Sequence, residues 1–322
     1  MNILLTAPYP EEKQKELAKF GKIHYRSWKE IGRAYQPDEL LEILRDVQAD
    51  AIITEHDQID RYVMDRHPLA FIGVCRGTPS NVDVEYARKK GIPVFTTPAR
   101  NAQAVAELFI ANLISFMRNS REGEKWLKEK KWNEGAHTAY LDFRGNEVAG
   151  KTVGMIGFGA VGQRIAGILK AFPATVQYYD PFLQSSPDPA YHSLNTMEEV
   201  FATSDIVSIH LPVNEQTRNI IDEKLLSLMK PDSVFINTSR AAVVKRDALL
   251  DVLKRKAIRG AILDVFDQEP PDEKDYEIIG MPHVLATPHI AGATHEVVDH
   301  HADIMNHALE KWFSDHQGSK KE

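Results

Sequence analysis

Cysteine is almost missing: Cys75 is the only one in 322 residues. No disulfide can therefore form within one chain, and that usage fits a reducing compartment. Positive charge is also short. Lys and Arg number 39 against 46 Asp and Glu, a net charge of −7, which argues against a broad surface for nucleic acid or anionic membrane. No apolar run approaches the roughly 20 residues of a membrane span. The opening Met1-Asn2-Ile3-Leu4-Leu5-Thr6 lacks the basic region and long apolar core of a signal peptide. No internal repeat stands out. These absences lead us to expect a cytoplasmic protein that meets small molecules, with neither nucleic acid nor membrane as partner.

What is present is a globular composition, 43% hydrophobic and 26% charged, with length enough for two domains. Short apolar runs at 3–5, 22–25, 51–53, 70–74 and 93–95 read as strands. Helical patterns at 12–20, 37–47, 59–64 and 82–90 separate them, with Gly21 and Gly91 where helix stops belong. This alternation predicts a parallel sheet covered on both faces. A long apolar helix follows at 104–117, then a basic, aromatic-dotted stretch at 121–132. A second βα series opens at 152–156 and continues with strands at 175–179, 205–211, 234–237, 261–265 and 283–286. Its helices are expected at 163–169, 223–229 and 247–256. The helix at 296–313 has no strand after it, and we expect it to return to the first domain. The expected division is 1–100 plus 291–322 for one domain and 101–290 for the other. The polar tail 318–322 is expected to fray.

The most informative segment is Gly157-Phe158-Gly159-Ala160-Val161-Gly162, set between an apolar run and a helical pattern, with Asp180 ending the next strand. A pyrophosphate needs close approach to backbone N–H groups at a helix N-terminus; glycines permit this and the helix dipole favours it. The acid about 20 residues on would meet a ribose 2′-OH. A carboxylate there favours NAD over NADP, because it repels a 2′-phosphate. Three further segments sit at strand ends, where ligands bind in such sheets: Asn237-Thr238-Ser239-Arg240, Asp264 to Pro270, and Thr287-Pro288-His289-Ile290-Ala291-Gly292.

On these motifs the chain resembles the D-isomer-specific 2-hydroxyacid dehydrogenases. The glycine turn with Asp180, His210-Leu211-Pro212 with Thr217 downstream, Asn237 to Arg240, Asp264 to Pro270 and His289 to Gly292 occur in that family's order and spacing. The resemblance implies an α/β fold of two Rossmann-like, doubly wound parallel-sheet domains with the active site in a cleft between them. It also implies NAD as cofactor and a homodimer, for which the long apolar helix offers a surface.

Carried over residue by residue, the resemblance makes His289 the general acid/base. Glu269 would bond its other ring nitrogen, and Arg240 would grip the substrate carboxylate with its planar fork. Asp264 would accept from the nicotinamide carboxamide. Gly157, Gly159, Ala160, Val161, Gly162, Asp180, His210, Pro212, Thr217, Thr238, Ser239, Arg240, Asp264, His289 and Gly292 would line the cofactor. His210 reads equally as a structural residue. Arg76, Gly77 and Thr78 match the substrate loop, with Arg76 as a second cation or a solvated arginine and Cys75 as a packed residue. No metal is assigned. Four positions depart from the family: Thr78 and Ala241 stand where glycine is usual, and Lys245-Arg246 replaces an acidic pair. We expect the basic pair to alter surface charge only.

The implied reaction is hydride exchange between NADH and a small 2-oxo acid, giving the D-2-hydroxy acid; hydroxypyruvate, glyoxylate and phosphohydroxypyruvate are candidates. One alternative is an NAD(H)-sensing corepressor on the same fold. Another is a formate- or phosphite-type dehydrogenase.

Overall fold

The computed structural model describes residues 1–133 and 135–318. The chain divides into two compact units, Met1–Asn101 with Thr294–Glu322, and Ala102–Ala293.

The first unit carries β1 (Asn2–Leu5), β2 (Lys22–Tyr25), β3 (Ala51–Thr54), β4 (Ile72–Val74) and β5 (Val94–Thr96). They form one parallel sheet in the order β2-β1-β3-β4-β5. Successive side chains point to opposite faces, and both faces are apolar here. Ile3, Leu5 and Ile53 pack with Leu17, Met305 and Leu309. Leu4, Ile52, Ile72 and Val74 pack with Leu40, Leu44 and Val63 on the other side. Met305 and Leu309 come from the last helix, Glu296–Gly318, which covers this sheet. That helix takes in Gly318 of the expected tail; residues 319–322 lie outside the described residues.

Two helices begin later than their apolar patterns suggest. Ile59 and Val82 pair with each other as an isolated parallel bridge. The following acids then start the helices: Asp60 caps Arg61–Arg66 by accepting the Val63 amide, and Asp83 caps Val84–Lys89 by accepting that of Tyr86. Gly91, at φ +72°, supplies the left-handed stop that was expected. Gly21 does not. Its backbone is extended, and a Cβ there would lie 2.4 Å from the Met1 carbonyl oxygen, so close approach accounts for that glycine.

The second unit carries β6 (Thr152–Ile156), β7 (Thr175–Tyr179), β8 (Tyr191–Ser193), β9 (Ile206–Ile209), β10 (Val234–Asn237), β11 (Gly260–Leu263) and β12 (Val284–Ala286). All are parallel, ordered β12-β11-β10-β9-β6-β7-β8. The order reverses between β6 and β9. That pair is the switch point beyond whose carboxyl ends a dinucleotide fold takes its ligand. The sequence reading omits β8 because only Tyr191 of its three residues is buried, so no apolar run marks it. It also omits the short helices Trp28–Ile31, Met197–Thr203 and Glu273–Ile279. The last two are announced by capping boxes, Thr196 with Glu199 and Asp272 with Asp275.

The long helix spans Ala102–Met117 and buries Val105, Phe109, Leu113 and Met117. Helices Ser120–Lys128 and Ala136–Asp142 follow it and leave Leu127, Tyr140 and Leu141 exposed. Among the described residues no helix is long and apolar enough to cross a membrane.

Candidate active site

The glycine turn joins β6 to the helix Ala160–Leu169. Gly157 has φ +85°, and a Cβ on it would come within 2.7 Å of the His210 carbonyl oxygen at the end of β9. Conformation and space both require glycine there. A Cβ on Gly159, by contrast, would meet no protein atom within 4 Å. Packing does not explain that glycine, whereas approach of a pyrophosphate to the helix N-terminus does. Ala160, Val161 and Gly162 form the first turn of that helix. Gly162 packs under the turn, 3.2 Å from the Gly157 carbonyl oxygen to a built Cβ. Asp180 follows β7 directly; its Oδ2 accepts the Phe158 amide at 2.8 Å and its Oδ1 the Phe182 amide at 3.0 Å. The acid is thereby held against the glycine turn.

His210 ends β9. Its Nε2 lies 2.8 Å from Ser208 Oγ, and its ring sits against Phe109 at 6.2 Å between centroids. The ring keeps some accessible surface, yet the surrounding protein desolvates its charged form and pushes the imidazole down to about 4. His210 is thus a neutral packed residue at the switch point, and Ser208 is a partner that the sequence reading did not name. Pro212 is exposed. Thr217 Oγ1 donates to the Pro212 carbonyl at 2.6 Å and accepts the Asn214 amide at 2.9 Å, closing the 212–217 loop.

The carboxyl ends of β10, β11 and β12, adjacent in the sheet, carry the reactive side chains. After β10, Asn237 is buried and organises the turn. Its Oδ1 accepts the Ser239 amide and hydroxyl at 3.0 and 2.9 Å, and its Nδ2 donates to the Arg240 carbonyl at 2.9 Å. The Thr238 hydroxyl is buried without a hydrogen-bond partner among the described residues, a cost that a bound polar ligand would remove. Arg240 is exposed and donates to the Ser239 carbonyl at 2.7 Å; among the described residues no carboxylate pairs with it. Ala241 begins a 3-10 turn and lies outside the left-handed region. The loss of the usual glycine therefore strains nothing.

Asp264 leaves β11 fully buried. Its Oδ1 accepts from Thr287 Oγ1 at 2.6 Å and from the Ile290 amide at 3.0 Å, and its Oδ2 accepts the Ala291 amide at 2.8 Å. It ties down the loop beyond β12 on both sides of His289. Sequence reading gave it a cofactor role, with a cap of the following turn as the alternative; three of about four acceptor positions on a carboxylate go to protein donors. Within that loop His289 has φ +52°, uncommon for a residue with a side chain and typical of backbone held for function. Its Nδ1 lies 2.7 Å from Glu269 Oε2 and 2.9 Å from Oε1. An ionised carboxylate only accepts, so Nδ1 carries the hydrogen and Nε2 is left to exchange a proton. Gly292 follows, partly exposed.

In the first unit, Cys75 is buried and desolvation raises its thiol above the usual range, so it is a packed residue. Arg76 is half-buried, while Gly77 and Thr78 are exposed beyond β4. Neither Gly77 nor Thr78 has positive φ, and threonine fits without strain. Near Cys75 stands a partly buried ion pair, Arg100 with Glu55 at 2.7 Å. Arg100 also bonds His301 Nδ1 at 3.1 Å.

A family described as "D-isomer specific 2-hydroxyacid dehydrogenase, NAD binding domain" matches residues 110–291. The chain is 56% identical over 314 residues to YoaD of Bacillus subtilis, by name a 2-hydroxyacid dehydrogenase, covering 97% of this chain and 91% of the relative. It is 35% identical to the glyoxylate reductase of Thermococcus litoralis, covering 94% and 91%. Among solved structures, an acyclic imino acid reductase in complex with NADPH and D-Arg superposes with a TM-score of 0.81 at 28% identity, covering 98% of each chain. Sequence, fold and motif geometry agree: the chain belongs to the D-isomer-specific 2-hydroxyacid dehydrogenase family, an oxidoreductase family using NAD.

Proposed function

We propose that this enzyme reduces a small 2-oxo acid with NADH, and oxidises the matching D-2-hydroxy acid in reverse, through His289, Glu269 and Arg240. One observation carries the assignment. A histidine held by a carboxylate at 2.7 Å follows the strand next but one to that of an arginine; among the described residues the histidine's other nitrogen is uncommitted and the arginine has no carboxylate partner.

The cofactor, when bound, supplies the hydride. The residues fit it: Gly159 leaves a cradle at the helix N-terminus, and the buried Thr238 hydroxyl lacks a partner. Gly157, Gly159, Ala160, Val161 and Gly162 would hold the pyrophosphate, and Asp180 the ribose. His210, Pro212, Thr217, Thr238, Ser239, Asp264 with its remaining acceptor position, and Gly292 would line the rest. In reduction His289 Nε2 donates a proton to the developing alkoxide, and Glu269 stabilises the imidazolium before transfer. Arg240 grips the substrate carboxylate through its donor fork and polarises the adjacent carbonyl. Arg76, Gly77 and Thr78 form a carboxylate-binding loop of the first unit in this reading.

The relatives reported above carry dehydrogenase or reductase names, and nothing in them favours a nucleotide sensor. Glyoxylate, hydroxypyruvate and phosphohydroxypyruvate are the leading substrates. NADH oxidation screened against these, pyruvate and branched 2-oxo acids tests the reading. It fails if NADH binds and no 2-oxo acid turns over.

We further propose a cytoplasmic homodimer. The apolar side chains Leu127, Trp132, Tyr140 and Leu141, exposed by 52, 50, 73 and 63%, support a second copy packing on the segment after the long helix. Sedimentation of Leu141→Asp tests it, with dissociation expected.

A further inference from the structure

Arg246 does more than alter surface charge, and the expectation for the Lys245-Arg246 pair is corrected for that residue. Its guanidinium meets three carboxylates: Asp267 at 3.0 Å, Asp272 at 2.8 Å and Asp275 at 3.3 Å. Asp267 precedes Glu269 by two residues and Asp272 follows it by three. Asp275, only 3% exposed, also accepts the Gln268 amide at 3.1 Å. One cation therefore grips both flanks of the loop that carries Glu269. The Glu269 and His289 side chains are 41% and 43% exposed, so burial does not fix their geometry. The loop has to do so.

We propose that Arg246 is a positioning residue for the reaction, holding the 267–272 loop so that Glu269 stays on His289 Nδ1. The inference rests on reading Glu269 and His289 as the proton-transfer pair. Without the cation, Asp267, Asp272 and Asp275 are left to repel one another, and the Asp267 carboxyl is partly desolvated and already raised by burial. The loop relieves that repulsion by moving outward and carries Glu269 with it. Arg246 touches neither substrate nor cofactor in this scheme. Its effect belongs in kcat and leaves NADH affinity alone.

Arg246→Ala, Asp267→Asn, Glu269→Gln and the Arg246→Ala/Glu269→Gln double variant form the test. The readouts are kcat, KM for the 2-oxo acid, NADH binding by fluorescence, and thermal midpoint. Arg246→Ala and Asp267→Asn should each lower kcat about tenfold, as small misplacements of catalytic groups do, with NADH affinity kept within about twofold. Arg246→Lys should recover part of the loss. The double variant should be no slower than Glu269→Gln, because both changes act through one group. Wild-type kcat in Asp267→Asn, or a loss in Arg246→Ala that adds in full to that of Glu269→Gln, overturns the proposal. Asp267→Asn decides the matter should Arg246→Ala fail to fold. Wild-type turnover in Glu269→Gln itself would overturn the reading of the pair, and the inference with it.

Discussion

Asp180 Oδ2 accepts the backbone amide of Phe158 at 2.8 Å. The acid that follows β7 is therefore fixed to the glycine turn at the end of β6, where the proposed reading puts an adenosine ribose. A 2′-phosphate brought there meets a fixed negative charge.

Cofactor choice follows from that bond. kcat/KM for NADH should exceed that for NADPH by about tenfold or more, equivalent to about 1.4 kcal/mol of discrimination. Asp180→Asn removes the charge and keeps an acceptor for the Phe158 amide, giving up the one that the Phe182 amide uses, so it should narrow the ratio. Equal kcat/KM values in the wild type would refute the assignment.

In the proposed mechanism, proton transfer depends on His289. His289→Ala should lower kcat by about 10²–10⁴-fold, the usual contribution of a positioned acid/base. Glu269→Gln should move the alkaline limb of the reductive pH profile to lower pH, because the imidazolium loses its anionic partner. Steady-state rates across pH measure both; near-full turnover in His289→Ala rules the scheme out.

In the proposed mechanism, Arg240 acts by shape as well as charge. Arg240→Lys keeps the cation and loses the bidentate fork, so kcat/KM for a 2-oxo acid should drop by about 10²-fold while NADH binding stays intact. The uncharged amide of the substrate should be a poor substitute for the acid. An Arg240→Lys enzyme as fast as wild type would show that the guanidinium does not grip the carboxylate.

His210 gives a pH dependence of stability. Its folded-state value, about 4, lies below the ordinary histidine value of 6.5, so the unfolded chain binds the proton more readily between the two. Its contribution is fully present above about 6.5 and is lost as the pH falls toward 4. His210→Asn should flatten the decline of the thermal midpoint over that window. An unchanged slope would count against the buried neutral imidazole.

Much of this was legible in the sequence, for a physical reason. Hydrophobic periodicity and turn chemistry are local, so the βα series, the glycine turn and the strand-end motifs could be placed from neighbouring residues alone. The identities of Gly157, Asp180, Arg240, Glu269 and His289 carry chemistry that survives without coordinates. β8 was not legible, since burial of one tyrosine leaves no pattern. Tertiary structure alone decided that a Cβ at position 157 would run into the His210 carbonyl, that Asp264 holds the Ile290 and Ala291 amides just beyond His289, and that Arg246 clamps the loop of Glu269. Each of these joins residues tens of positions apart whose partners are fixed by strand order and loop path. Hydrogen bonds and ion pairs act over a few ångströms in space, and nothing in the one-dimensional order of residues measures that distance.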